Sequence, residues 1–289
     1  MTNSESLTMA AIRLDAVAKT FDLAGSNRRL TALGEVNLSL IPGEFLSIIG
    51  PSGCGKSTIL NIIAGLEQPD SGGSVLVAGK AVQGPGPDRA VVFQEAGLLP
   101  WLTVQGNVEY GLSLAGLSRQ QRRERSQHYL KMVHLSRYAS AMPHELSGGM
   151  RQRVSIARAL ALEPKVLLMD EPFSALDAQT RDLLLDELQS IWQKTRTTVV
   201  FITHNVREAV FLSTRVMVMT APPGQAKSFI KIPLGYPRQK TSPDMAIYVQ
   251  KLEDQIRDEV NKVAARELDP DWTPEAELAA REASIGDGL

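Results

Sequence analysis

The sequence predicts an α/β protein: a parallel sheet, a largely helical insertion and a helical C-terminal extension. Three observations predict it. Four short runs, FLSIIG, AVVFQ, VLLMD and VVFITH, are apolar without alternation and end at Gly50, Gln94, Asp170 and His204. Unbroken apolarity suits strands covered on both faces. Between Gln94 and Asp170 the texture changes to helical spacing with a strongly charged middle, so residues from Glu95 to about Pro164 are expected to be mostly helical. After Pro237, residues Val249, Leu252, Ile256, Val260 and Val263 recur at helix spacing, ahead of an acidic, Ala-rich tail expected to fray.

With 289 residues the chain can form one large domain with an appendage. A net charge of -1 gives no electrostatic case for a nucleic-acid partner. The single cysteine, Cys54, excludes a disulfide within the chain and fits a reducing compartment. No window approaches the roughly 18 apolar residues of a spanning helix. The first residues lack the basic and apolar regions of a secretory signal, so a soluble cytoplasmic protein is expected.

In chain order, the residues up to about Val92 mix strands with turns at AGSNRRL, IPGE and QGPGPD. Among them Gly50, Pro51, Ser52, Gly53, Cys54, Gly55, Lys56, Ser57 and Thr58 match G-x-x-x-x-G-K-[ST]. A strand precedes this stretch and STILNIIAGL follows as a helix, the context in which such a loop cradles the phosphates of a nucleotide. Gly53 and Gly55 let backbone N–H groups turn inward. Lys56 would reach the β- and γ-phosphates, Ser57 would ligate Mg²⁺, and Thr58 would bond a more internal phosphate. Cys54 reads as a small tolerated side chain, with a helix start near enough to lower its pKa and make it sensitive to alkylation.

Ligands of parallel α/β sheets bind beyond the carboxyl ends of the strands, so the residues ending the other three runs should converge on the same phosphates. Asp170 would hold the Mg²⁺ shell, and Glu171, one step further, would orient or deprotonate a water. Gln94 would touch both metal and water; His204 would donate to a γ-phosphate oxygen.

LSGGMRQR then poses a problem. Ser147, Gly148 and Gly149 run into an Arg-rich helix expected to begin near Met150 and to be capped by Ser147, which makes a second anion-binding helix start. The helix continues with Val154, Ala157, Leu160 and Ala161 on one stripe. One loop already wraps one nucleotide's phosphates. A natural use of the second is to grip the γ-phosphate of a nucleotide held by another copy, in a two-fold dimer.

GPSGCGKST, VFQEAGLLPW, LSGGMRQR, VLLMDEP, SALD and FITH occur in the order and spacing of an ABC-type ATPase cassette, which the sequence resembles from about Ile12 to Arg238. The resemblance implies a P-loop NTPase core of ABC type with a mixed sheet, a helical signature subdomain, and ATP with Mg²⁺ as cofactors. It puts Asp177 of SALD at the seam of a dimer of cassettes, and Phe21 of VAKTF against adenine where tyrosine is commoner. Asn205 stands where many relatives have aspartate, which leaves the hydrogen bonding around His204 open. An ATPase domain over 1–237, its insertion at about 95–164, and a C-terminal extension over 238–289 follow.

The resemblance further implies a peripheral protein on the cytoplasmic face of the cell membrane. A membrane permease subunit would contact the loop carrying Leu98, Leu99, Pro100 and Trp101, and a solute-binding protein would complete the system. FQEAGLLPWLTV and RVMVMTAPPGQAKSFIKIPLGYPR are similar to the importers of nitrate, sulfonate, taurine or bicarbonate. An importer cassette for a different solute, or a non-transport role in repair or translation, are the alternatives. The long coiled coils and paired cassettes of the non-transport members do not occur in this sequence. Lys56, Asp170, Glu171 and His204 argue against a catalytically dead subunit. The C-terminal helix could serve a dimer partner or a regulator.

Overall fold

Two sheets sandwich one helix. In the computed structural model, which describes residues 10–22 and 29–267 (backbone only at 266 and 267), the strands run β1 (Ile12–Asp22), β2 (Arg29–Leu40), β3 (Phe45–Ile49), β4 (Ser74–Val77), β5 (Lys80–Ala81), β6 (Arg89–Val92), β7 (Val166–Asp170), β8 (Thr198–Ile202), β9 (Arg215–Met219) and β10 (Ala226–Lys231). The helices are α1 (Lys56–Ala64), α2 (Val104–Leu114), α3 (Arg119–Met132), α4 (Gly148–Ala161), α5 (Ala178–Thr195), α6 (Val206–Leu212) and α7 (Pro243–Glu267). The tail expected to fray, and most of the turn at AGSNRRL, lie outside the described residues.

The larger sheet has the order β10-β9-β3-β8-β7-β6. Its neighbours pair in parallel except β10, which is antiparallel to β9, so the sheet is mixed as the resemblance implied. The smaller sheet, β2-β1-β4-β5, is antiparallel throughout. The unbroken apolar runs now have their cause. Leu46 and Ile48 of β3 join α1 and the small sheet in one core, while Phe45 and Ile49 join the helices on the opposite face in another. Successive side chains point to opposite faces, so a strand covered twice is apolar along its length unless a polar residue finds a buried partner, as Ser47 does in the Ser213 hydroxyl.

The structure departs from the sequence reading in three places. β6 stops at Val92, so Gln94 lies two residues past the strand on a loop that continues to Thr103; helix begins only at Val104. The long helical spacing after it breaks at Ala115–Leu117, where Gly116 has φ +78° and Ser118 opens α3 with a capping box to Gln121. On α7, Met245, Val249 and Leu252 are buried in the core, but Val260 is exposed and Glu259 is buried beside it. Apolar periodicity could not show a carboxylate held by partners from other elements. At the boundary expected between residues 237 and 238 the chain is packed, in keeping with the absence of a linker composition in the sequence. The guanidinium of buried Arg238 donates to the carbonyls of Val210, Ser213, Ile232 and Leu234 and stacks 4.2 Å from the ring of Tyr236.

Candidate functional site

The phosphate loop leaves β3 at Gly50 and enters α1 at Lys56, at the carboxyl edge of the large sheet. Gly55 is the N-cap of α1 with φ 88°, and no side chain caps this helix start. The left-handed conformation needs glycine, and the space does too, because a Cβ there would stand 2.8 Å from the Ala32 carbonyl oxygen. Uncapped N–H groups at a helix start, with its dipole behind them, form an anion cradle. Lys56 is buried, and its ammonium donates to the carbonyls of Gly50 at 3.0 Å and Pro51 at 2.9 Å, which holds the positive charge inside the loop. Ser52 and Gly53 are exposed, and Thr58 is half-buried one residue into the helix from Ser57.

Cys54 fits the reading as a small packed side chain but reverses the expected direction of its pKa. The thiol is fully buried, and burial pushes its pKa up despite the neighbouring Lys56 ammonium. It is a packing residue, not a sensitised nucleophile.

β7 brings Asp170 to this loop. Its carboxylate accepts a hydrogen bond of 3.2 Å from the Ser57 hydroxyl. Burial raises its pKa, reinforced by Glu171 and opposed by Ser57 and Lys56. A half-buried carboxylate beside a hydroxyl is a hard-oxygen pair, of the kind that holds Mg²⁺ when phosphate oxygens and water complete the shell.

Glu171 follows with φ +43°, an uncommon conformation for a side chain of this size. The backbone is fixed there by its N–H to Ile202 O at 3.0 Å and by the Ser174 hydroxyl, which donates to the Glu171 carbonyl at 3.0 Å. Glu171 Oε2 meets His204 Nδ1 at 3.1 Å. Strand ends 33 residues apart in sequence thus deliver an acid and an imidazole to one contact.

Behind His204 lies a set that sequence reading missed. Thr203 Oγ1 donates to buried Glu208 at 2.6 Å and accepts from the Asn205 N–H at 3.0 Å. Asn205 caps α6 by accepting from the N–H groups of Arg207 and Glu208. Asparagine in place of aspartate therefore keeps the cap and drops a charge. Burial pushes the Glu208 pKa up, against the Thr203 hydrogen bond and Arg181.

Gln94 is exposed, and among the described residues no hydrogen bond ties it to Ser57 or Asp170. Its loop is nonetheless anchored. Gln152 of α4 donates to Phe93 O at 3.2 Å, and Arg158 donates to the carbonyls of Gly97 and Ala96 at 2.8 and 2.9 Å. Asn107, fully buried on α2, accepts the Leu99 N–H at 2.7 Å and reaches the carbonyls of Leu99, Leu102 and Thr103 at 3.1 Å. A polar residue three along from Val104 and beside Val108, on an otherwise buried stripe, was the available signal. Of the apolar set on this loop, Leu98 packs against the core and Leu99 is half-buried; Pro100 is exposed and Trp101 is 69 % exposed.

The second helix start is built differently. α4 begins at Gly148, two residues earlier than expected, because the Ser147 hydroxyl accepts the Met150 N–H at 3.3 Å and closes the first turn. Ser147 and Gly148 are exposed, whereas Gly149 is buried against Thr180 of α5. The polar side chains that follow face their own fold. Arg151 donates to Leu146 O, Gln152 to Phe93 O, and Arg153 pairs with Glu187 at 3.0 Å. Arg151 remains exposed beyond that one hydrogen bond, whereas Arg153 is half-buried on its partner. Asp177 is exposed as the N-cap of α5; the Thr180 hydrogen bonds hold its pKa below the usual carboxylate value. Phe21 is half-buried, with the Lys19 ammonium 5.0 Å from its ring centre.

The model of the ABC transporter family matches residues 33–174. An uncharacterized ABC transporter ATP-binding protein of Methanocaldococcus jannaschii is 50 % identical over 251 residues, covering 87 % of this chain and 93 % of that protein. The nitrate import ATP-binding protein NrtD of Synechocystis is 47 % identical, over 79 % of this chain and 85 % of its own. The aliphatic sulfonates import ATP-binding protein SsuB of Bacillus subtilis is 45 % identical, over 84 % and 92 %. Among solved structures, a dimeric ATP-binding cassette in a post-hydrolysis state bound to ADP and Pi superposes with a TM-score of 0.68 at 35 % identity, covering 78 % of this chain and all of that one.

Proposed function

The chain belongs to the ABC transporter family, and on that premise we propose that it is the ATP-hydrolysing subunit of an importer for a small anionic solute of the nitrate or sulfonate kind. The observation that carries the chemistry is the array at one sheet edge: Lys56 inside the phosphate loop, Ser57 on Asp170, and Glu171 on His204.

In this reading the first-turn N–H groups of α1 and the Lys56 ammonium bind the triphosphate. Ser57, Asp170 and Gln94 would hold Mg²⁺, which would offset phosphate charge during transfer. Glu171 takes a proton from the attacking water, and His204, held by the Glu171 carboxylate, donates to the γ-phosphate. Phe21 offers its ring face to the adenine. Ser147, Gly148 and Asp177 lie exposed and complete the site of a second copy, so closure of the pair requires nucleotide in both. The loop from Gln94 to Trp101 carries that closure to a separate permease subunit at the cytoplasmic face of the membrane. No helix among the described residues is long and apolar enough to cross a membrane. Supporting the solute class is the similarity to the nitrate and aliphatic sulfonate import proteins over four fifths of the chain. We take 1–237 as the ATPase domain and 238–289 as an extension.

The test is uptake in a strain lacking the chain. Nitrate or alkanesulfonate uptake should be lost and return with the wild-type gene but not with Glu171→Gln. Intact uptake of both, with loss of an unrelated solute, would move the protein to another importer branch.

A further inference from the structure

Residues 220–225 turn between β9 and β10 and lie against the back of the phosphate loop. Gly224 donates its N–H to the Ala32 carbonyl at 3.1 Å and accepts the Gly34 N–H at 2.9 Å, which stitches the turn to β2. A Cβ at Gly224 would stand 1.8 Å from the Cys54 carbonyl oxygen, so only glycine lets the turn approach the loop this closely. On the same side, a Cβ at Gly50 would meet Met219 Cβ at 3.0 Å. Loop, turn and β2 are packed without slack, and a shift in one must displace another.

The far side of the turn is gripped by the C-terminal helix. Glu259 of α7, 1 % exposed, accepts the Ala221 N–H at 2.9 Å, the Lys227 ammonium at 2.9 Å and the Lys262 ammonium at 2.8 Å. Lys227 also donates to Gln255 O at 2.9 Å and stands 3.8 Å from Asp258; the Ser228 hydroxyl bonds Gln255 Oε1. Burial by itself would raise the Glu259 pKa, but the hydrogen bonds from Lys262, Ala221 and Lys227 outweigh it and hold the value at about 2. The group is therefore a carboxylate at every pH at which the protein would act. Docking a helix does not require a buried charge, since apolar residues of similar volume do it as well or better. What this charge adds is a fixed position for the turn that backs the phosphate loop.

We propose that Glu259 is a positioning residue for the phosphate loop: by clamping the 220–225 turn from the C-terminal helix, it sets the affinity of the loop for ATP. Anything that shifts α7 along the sheet then shifts that affinity, and the C-terminal extension becomes a regulatory input to the nucleotide site. The inference rests on the reading of residues 50–58 as an ATP site.

The experiment titrates ATP into the purified full chain and measures steady-state turnover, for wild type, Glu259→Gln, Lys227→Gln and the exposed α7 control Lys251→Ala. Glu259→Gln is expected to raise both Kd and KM for ATP by about five-fold or more. Its kcat should stay within about two-fold of wild type. Lys227→Gln should move the same way by less, and Lys251→Ala not at all. A merely destabilised variant loses titration amplitude, not midpoint, so the Kd separates positioning from folding. Amide exchange should also quicken across residues 50–56. Wild-type Kd in Glu259→Gln, with exchange at 220–225 already quickened, would overturn the proposal, because the turn would then move without consequence for the loop. If Glu259→Gln fails to fold, Lys227→Gln is judged by the same two outcomes. Wild-type protein that binds no ATP would remove the nucleotide-site reading and this inference with it.

Discussion

The two glycine-rich helix starts differ in what they leave open. At Gly55 the start of α1 has no side-chain cap, faces a buried lysine and adjoins Ser57, Asp170 and, one residue on, Glu171 with His204. At Ser147 the start of α4 is capped by its own hydroxyl, and Ser147 and Gly148 stand exposed while the following Arg151 and Arg153 are engaged within the fold. In the function proposed above, the first is a site within a single chain and the second is half of one, offering the exposed Ser147–Gly148 turn to a second copy. The difference teaches that a helix N-terminus becomes a binding site through what surrounds it, since the dipole and free N–H groups are common to both.

Substitutions can break or sharpen this contrast. The largest effect is expected from Glu171→Gln, which should lower ATP turnover by about 10²-fold or more. Binding should survive, and ATP-loaded dimers should accumulate on size-exclusion chromatography. A variant that binds ATP yet remains monomeric would count against α4 acting on a neighbour's nucleotide. Lys56→Ala comes next. Hydrogen bonds from a charged donor are worth roughly 1.5–3 kcal/mol, so calorimetry on the isolated chain should find ATP affinity reduced about 10- to 100-fold.

Ser147→Ala is the sharper test, with a smaller effect. Loss of the cap should destabilise the fold by about 1 kcal/mol, read as a lower urea midpoint. ATP affinity of the single chain should not change, but ATP-dependent dimerisation should weaken. If the single-chain affinity fell as it does for Lys56→Ala, the two helix starts would belong to one site and the contrast would collapse. The smallest effect concerns Cys54. Because burial raises its pKa, it holds less thiolate at pH 8 than a free cysteine, and iodoacetamide should label the native chain hardly at all but the urea-unfolded chain completely. Mass spectrometry reads both, and quick native labelling would reveal a phosphate loop that opens.

Much of this fold could be read from the chain. Strands covered on both faces lack polar alternation, so FLSII and VLLM declared themselves despite Ser47, and the G-x-x-x-x-G-K-[ST] pattern located the phosphate loop because only glycine permits its backbone. The convergence of Glu171 and His204 could be read for the same reason: each stands just past a run whose burial marks it. Asn107, Glu208 and Glu259 were not found. Each is a polar residue that burial alone would exclude, kept by partners on other elements.

The sequence by itself determined which apolar runs form the doubly covered strands, where the chain can turn and which backbone must be glycine, because local sterics and the period of apolar residues act within a few positions of the chain. The tertiary structure alone decided which polar groups stay exposed and which are satisfied within the fold, as at Ser147 and Arg153, and that α7 reaches the phosphate loop through Glu259 and the 220–225 turn. A hydrogen bond's partner is set by position in space, and strands brought together from opposite ends of the chain leave no trace of that pairing in its order.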